Sequence, residues 1–231
     1  MLATVALALA ATLLTGAALG ERPKDPELSR NLRSALTQVD FWNELSDADW
    51  VFDFSKVMAD PYHPGSVLNA NAATFPIITG SGMTVAQLNL GPCAMLAPHS
   101  HPRATNLVVS VSGSTKTFMR AENGADDRVT TLTPGKMTVF PQGSMHAMVN
   151  QGCSDNLLYS FLNHEDSGTL NFAQSLWATG EDMMGRIMPM CKDEKNDWNE
   201  TGRAIPDWGT GSQDGLAACR LACGMFGKGG R

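Results

Sequence analysis

Residues 91–113 read GPCAMLAPHSHPRATNLVVSVSG, and they hold the histidine pair on which the predicted fold and site depend. It places His99 and His101 one residue apart. Alternate residues of a β-strand point to the same face, so these two imidazoles are expected to project together. Two imidazoles on one face can grip a single ion, and imidazole suits Zn, Cu, Fe and Ni.

A second stretch, residues 135–150, reads GKMTVFPQGSMHAMVN and supplies His146. The Pro-Gln-Gly turn at 141–143 predicts that His146 lies at the start of a strand. A His-x-His pair alone is more often an ordinary surface or core feature than a metal site. The third histidine, and the fact that only His63 and His164 lie outside the two stretches, favour one ion held by His99, His101 and His146.

The region from Met83 to Leu162 consists of short segments rich in Val, Thr, Leu and Phe, separated by turn signals. The predicted strands cover 84–90, 106–111, 115–119, 128–132, 136–140, 146–149 and 156–162. Residues 50–54 (WVFDF) also alternate and are expected to begin the β region. Many short strands without intervening helices predict an all-β barrel or sandwich. Short helices are expected after Phe172, including one over 215–225 that places Cys219 and Cys223 on one face.

The two histidine stretches resemble the paired motifs of the cupin superfamily, in its germin-like branch and especially the fungal and slime-mould spherulins. The second motif is matched in full by Gly135, Pro141, Gly143, His146 and Asn150. In the first, Asn106 stands where the family has Glu. The resemblance implies a cupin jelly-roll β-barrel over residues 50–178 with one ion, often Mn, at His99, His101, His146 and the residue at 106. It also implies a homo-oligomer, a trimer or hexamer, in which C-terminal helices grip neighbouring subunits.

Asn106 changes what the site is expected to do. An amide in place of a carboxylate leaves a divalent site at +2 rather than +1, so Mn²⁺ should bind less well and Zn, Cu, Ni or Fe should be favoured. Oxidation of the ion should also become harder. The alternative is that Asn106 does not bind, and the ion holds three histidines and water. Ala86 and Leu96 occupy the places of two substrate-contacting asparagines in oxalate oxidases, which disfavours oxalate oxidation.

The chain has 231 residues, a net charge of −6 and no basic block, so no nucleic-acid partner is expected. Residues 1–20 read as a signal peptide, which predicts a secreted protein of the extracellular space or cell wall. A membrane anchor is the alternative, but the apolar run reaches that length only by counting Thr, Gly and Ala. Residues 21–49 are expected to form an N-terminal arm, and residues 179–231 a C-terminal helical extension.

Five cysteines lie beyond residue 20 and are candidates for disulfides in a secreted chain. Cys93 and Cys153 flank the two motifs and are expected to bridge two strands. Cys191 is expected to pair with Cys219 or Cys223 in the last helix. Asn199 begins an Asn-Glu-Thr glycosylation sequon.

Two hypotheses for function follow. The first is a non-catalytic or weakly catalytic metal-binding protein of wall, spore or stress state, with a structural ion or a bound small-molecule ligand. The second is a metal-dependent oxidoreductase of superoxide dismutase or oxidase type. Asn106, Ala86 and Leu96 favour the first, and the three histidines are compatible with both.

Overall fold

Two antiparallel β-sheets face each other in the computed structural model, which describes residues 24–56, 61–187 and 212–225. The strands are β1 (Gly65–Ala70), β2 (Thr84–Leu90), β3 (Ala94–Ser100), β4 (Asn106–Ser110), β5 (Thr115–Arg120), β6 (Arg128–Leu132), β7 (Met137–Phe140), β8 (Met145–Asn150), β9 (Asn156–Leu162), β10 (Leu170–Asn171) and β11 (Gln213–Asp214). One sheet has the order β1-β2-β9-β4-β7 and the other β10-β3-β8-β5-β6, with β11 also paired to β3. This jelly-roll arrangement confirms the predicted all-β fold.

Alternation along the strands places the core between the sheets. Every second residue of β8 and β9 is buried. Leu158 and Leu162 of β9 belong to the same buried cluster as Met148 of β8. His146 lies in the inward row of β8 with Met148, so a histidine takes a position that the alternation assigns to the core.

The strands near the N-terminus differ from expectation. Residues 50–54 form no strand; Trp50 ends one short 3₁₀ turn, Asp47–Trp50, and Phe54 begins another, Phe54–Lys56. Their aromatic rings pack instead of pairing in a sheet, with Phe54 edge-on to Tyr159 of β9 at a centroid distance of 5.6 Å. The first strand in the described residues is β1, whose inward residues Ser66, Leu68 and Ala70 carry too little apolar bulk to stand out in the sequence.

The helices lie outside the barrel sheets. They are α1 (Pro26–Ser34), α2 (Gln38–Asn43), α3 (Phe172–Trp177), α4 (Glu181–Ile187) and α5 (Ala217–Ala222). Asp25 caps α1 by accepting from two backbone N–H groups, and Thr37 and Asp40 form a capping box at α2. In the described part of the chain, no helix is both long and apolar enough to span a bilayer.

The disulfides differ from the predicted pairing. Cys93 is bonded to Cys219, and Cys153 to Cys223, so the predicted Cys93–Cys153 bridge is wrong. The two turns do lie together, since the Cys93 N–H donates to the Gly152 carbonyl. However, β11 pairs with β3 and brings α5 against both turns, the one that holds Cys93 and the one that holds Cys153. Each turn is therefore joined by a disulfide to the C-terminal segment rather than to the other turn.

The expected bridge from Cys191 into the last helix is also wrong, because both helix cysteines are bonded to the barrel. Cys191 itself, the sequon at Asn199 and residues 1–20 lie outside the described residues.

Candidate metal centre

The three predicted histidines meet on the inner face of one sheet. His99 lies at the end of β3 and is paired in register with His146 of β8, while His101 follows β3 directly. Their ring centroids are 4.3 Å apart for His99 and His146, and 5.2 Å for each pair that includes His101. One ring nitrogen from each lies within 4.8 Å of the other two, so one ion can contact all three.

The turn before β8 places His146 relative to His101. Gly143 has a φ of 76°, a conformation that favours glycine, and its N–H donates to the His101 carbonyl at 3.0 Å. Ser144 closes the turn by donating to the Pro141 carbonyl at 3.0 Å. The Pro-Gln-Gly sequence therefore ties the two histidine stretches together as well as starting the strand.

Backbone carbonyls orient all three imidazoles through Nδ1. The His99 Nδ1 lies 2.7 Å from the Ala97 carbonyl, the His101 Nδ1 2.7 Å from that of Gly168, and the His146 Nδ1 3.0 Å from that of Ser144. A carbonyl only accepts, so Nδ1 must carry the proton and donate it. This tautomer leaves each Nε2 lone pair available to a metal ion.

Burial keeps the three rings neutral. It lowers the pKa of His99 to about 4 and that of His146 to about 2, because a desolvated site disfavours the charged form. Each is lowered further by a neighbouring imidazole and partly restored by its carbonyl hydrogen bond. The pKa of His101 is lowered by burial as well. At neutral pH the site therefore presents the unprotonated form that binds metal.

Two buried atoms at this place have no hydrogen-bond partner, the Nε2 of His146 and the Oδ1 of Asn106. Asn106 is 1% exposed and is paired across β4 and β7 with Phe140, whose ring stacks on His146 at 4.2 Å. Opposed residues of two paired strands share a face, so Asn106 lies on the side of the sheet that faces the histidines. Leaving buried polar atoms unpaired is costly, and a metal ion would satisfy both.

The other asparagine of the motifs has a structural role. Asn150 is fully buried, and its Nδ2 donates to the carbonyls of Leu90, Gly91 and Ser154 while its Oδ1 accepts from the Gly152 N–H. It therefore ties the turn after β2 to the turn after β8. The sequence matched it to the family motif without indicating which role it has.

Ala86 and Leu96, the two positions at which the resemblance led us to look for substrate-contacting side chains, belong to the apolar core. Ala86 and Leu96 are 2% and 4% exposed and pack in the main cluster between the sheets. At this site, the group of possible metal ligands consists of three imidazoles with no carboxylate.

Comparison with known proteins agrees with this architecture. The family model described as Cupin matches residues 61–185, more than half of the chain. Spherulin-1A of Physarum polycephalum is 28% identical over 202 residues, covering 87% of this chain and 80% of its own length. Germin-like protein subfamily 3 member 1 of Arabidopsis thaliana is 36% identical over 111 residues, covering 47% of this chain and 52% of its own.

Among solved structures, a recombinant oxalate oxidase in complex with glycolate superposes with a TM-score of 0.60. The alignment covers 70% of this chain and 83% of that one, at 18% identity. At that identity the likeness concerns the fold alone. The three-histidine group itself has the arrangement of a possible site for a divalent metal ion.

Proposed function

Because this chain belongs to the cupin family and is of germin and spherulin type, we propose that it is a secreted protein with one mononuclear metal site, non-catalytic or weakly catalytic. The ion is held by His99, His101 and His146, with Asn106 at the position of the family's Glu. The role is structural or ligand-binding, as in a protein of wall, spore or stress state.

The observation that carries the proposal is the pair of buried, unpartnered acceptors, His146 Nε2 and Asn106 Oδ1. A core without an ion would keep two unsatisfied polar atoms, each costing about 1–3 kcal/mol. The neutral imidazoles beside them complete a donor set of three nitrogens and one carbonyl oxygen. When bound, a divalent ion would act there as a Lewis acid toward a ligand reaching it from the His101 side, the partly exposed side of the group.

The electrostatics of the site favour weak chemistry. A +2 site with neutral donors gives little stabilisation to a +3 ion, which opposes redox cycling. An acid–base group is also needed for efficient turnover. Among the described residues, the buried carboxylate is that of Asp49. Its oxygen accepts hydrogen bonds from the Ser46 N–H and hydroxyl, so its role is to cap that turn rather than to serve the histidines. The second candidate, an oxidoreductase of superoxide dismutase or oxidase type, is supported by the retained histidines.

The chemistry of the donor atoms indicates which metal ions the site should prefer. Manganese is what the germin resemblance implies, but imidazole-rich sites without carboxylate favour Zn, Cu, Ni or Fe. Elemental analysis of purified protein before and after chelation, with superoxide and oxalate assays on both samples, tests function and ion together. We expect about one ion per chain, with little or no activity in either assay. Chelator-sensitive activity at the level of an efficient enzyme would support the second candidate, and a metal-free protein would refute the first.

Two features support secretion and assembly. Disulfides persist in oxidising compartments, and the structure has two of them. Leu107 of β4 and Val139 of β7 are paired and exposed on the outer face of a sheet that ends at β7. Such an apolar edge favours contact with a second copy of the chain. Sedimentation of the purified protein should give a trimer or hexamer, and Val139→Lys should shift it toward monomer.

A further inference from the structure

Four cysteines gather at the end of the barrel where α5 crosses two turns. The inner bridge joins Cys93 to Cys219, and the outer bridge joins Cys153 to Cys223. The Sγ of Cys93 lies 3.6 Å from the Sγ of Cys223, which belongs to the other bridge. The sulfurs of Cys93, Cys219 and Cys223 all lie within 4.8 Å of one another. The two disulfides are therefore in sulfur-to-sulfur contact.

Solvent reaches the two bridges unequally. Cys153 is exposed, the two helix cysteines are half-buried, and Cys93 is fully buried. A dissolved thiol therefore meets Cys153 first. The inner bridge is protected from outside, yet its buried sulfur is in contact with the sulfur that opening of the outer bridge would release.

We propose that these four cysteines form a thiol–disulfide exchange site, in which opening of the outer bridge by a small thiol is passed on to the inner bridge. The external thiolate attacks the Sγ of Cys153, the Cys153–Cys223 bond breaks, and Cys223 leaves as a thiolate. The Cys223 thiolate then attacks the Sγ of Cys93, and Cys219 leaves as a thiolate that takes a proton from water.

These two exchange steps leave the number of disulfide bonds unchanged. One external thiol is consumed, one protein thiol appears at Cys219, and the bonds become Cys93–Cys223 and a mixed disulfide at Cys153. A second external thiol then attacks the mixed disulfide at Cys153. Cys153 is released as a free thiol, and the two external thiols leave joined to each other by a disulfide bond. The net result is a two-electron reduction of the protein by two external thiols.

The geometry keeps the helix attached throughout. Cys219 lies in α5 and Cys223 directly follows its last residue, about one helical turn further along, so the bond from Cys93 can pass from one to the other. Cys93 is held by its hydrogen bond to Gly152 and by a left-handed backbone, with φ at 58°. Pairing of β11 with β3 holds the start of α5 in place. Reduction therefore exposes Cys153 and Cys219 while the C-terminal helix stays tethered to the barrel.

Partial reduction of the wild-type protein tests directly whether opening of the outer bridge is passed on to the inner bridge. The protein is treated with reduced glutathione, quenched with iodoacetamide and mapped as peptides without further reduction. Among molecules that have lost one bridge, we expect alkylation at Cys153 and Cys219 with a Cys93–Cys223 disulfide. If molecules that have lost one bridge are alkylated only at Cys153 and Cys223 and keep the Cys93–Cys219 bridge, then opening of the outer bridge is not passed on, and the proposal is wrong.

A matched pair of variants tests the rate. Both carry Cys191→Ser to remove the fifth cysteine from exchange, and one also carries Cys153→Ser and Cys223→Ser. Alkylation of Cys219 during glutathione treatment should be at least about tenfold faster where the outer bridge is present, because a positioned thiolate has a high effective concentration. An equal or slower rate with the outer bridge present would refute the proposal. The rate comparison is made only if circular dichroism shows that both proteins are folded; the wild-type mapping stands without it.

Discussion

Replacing Asn106 by Asp tests the metal centre most sharply, because the change adds a charge without adding volume. Asn106 is 1% exposed, and its Oδ1 has no hydrogen-bond partner. If that oxygen is a metal ligand, Asp converts a neutral donor to an anionic one and lowers the charge of the loaded site from +2 to +1. A charged partner is worth about 1.5–3 kcal/mol, so Mn²⁺ affinity should rise roughly 10- to 100-fold.

The same variant should be less stable without metal. A carboxylate in this desolvated position has its pKa raised above its usual value, and each unit of that shift costs about 1.4 kcal/mol at neutral pH. The free energy of unfolding of the metal-free Asp variant should therefore fall by about 1–4 kcal/mol, and Mn²⁺ should restore it. Urea unfolding with and without Mn²⁺ measures both effects on one sample.

Asn106→Leu is the matched control, because it keeps the branched shape and removes the acceptor. Without metal it should be neutral or stabilising by about 1 kcal/mol, since an unsatisfied buried oxygen is lost. Its metal affinity should fall about tenfold. Calorimetric titration of Mn²⁺ and Zn²⁺ into wild type and both variants at fixed pH, with a superoxide assay beside it, decides the matter. If wild type binds Mn²⁺ as tightly as the Asp variant, Asn106 is not a weakened ligand and the charge argument against redox cycling fails.

Three further outcomes are expected. His146→Ala should remove most of the bound metal in elemental analysis, and retention of full metal content would contradict the three-histidine site. The metal-free protein should lose stability as pH falls from about 6.5 toward 4, because the unfolded chain takes up protons that the buried His99 and His146 do not. The depressed pKa of His99, about 4, gives up to about 3 kcal/mol of this loss, and His146 adds to it. Urea unfolding across that range measures the loss, and a flat profile would mean that both imidazoles titrate normally. Asn150→Ala should lower the free energy of unfolding by roughly 2–4 kcal/mol while the folded protein keeps its metal, because its bonds go to backbone groups rather than to the imidazoles; loss of metal at unchanged stability would contradict that role.

Local sequence pattern predicted the all-β class and most of the strands, but it missed β1 and β3 and placed a strand at 50–54 where there is none. Strands β2, β6 and β9 begin and end where their composition predicts, because period-two alternation and turn residues act over a few neighbours. His146 lies inward at the start of β8 because the Pro-Gln-Gly turn sets the phase of the strand. Pairing of His99 with His146 agrees with alternation along β3 and β8, whereas His101 joins the group from the position just beyond the end of β3.

Long-range contacts decided the rest. Five cysteines allow many pairings, and the choice of Cys219 for Cys93 depends on β11 pairing with β3, a contact between segments more than a hundred residues apart. The two motif asparagines look alike in sequence, yet Asn150 makes four backbone hydrogen bonds and the Oδ1 of Asn106 makes none. A side chain's type fixes which bonds it can make, but only the packed structure brings partners within reach of one and leaves the other facing the metal centre.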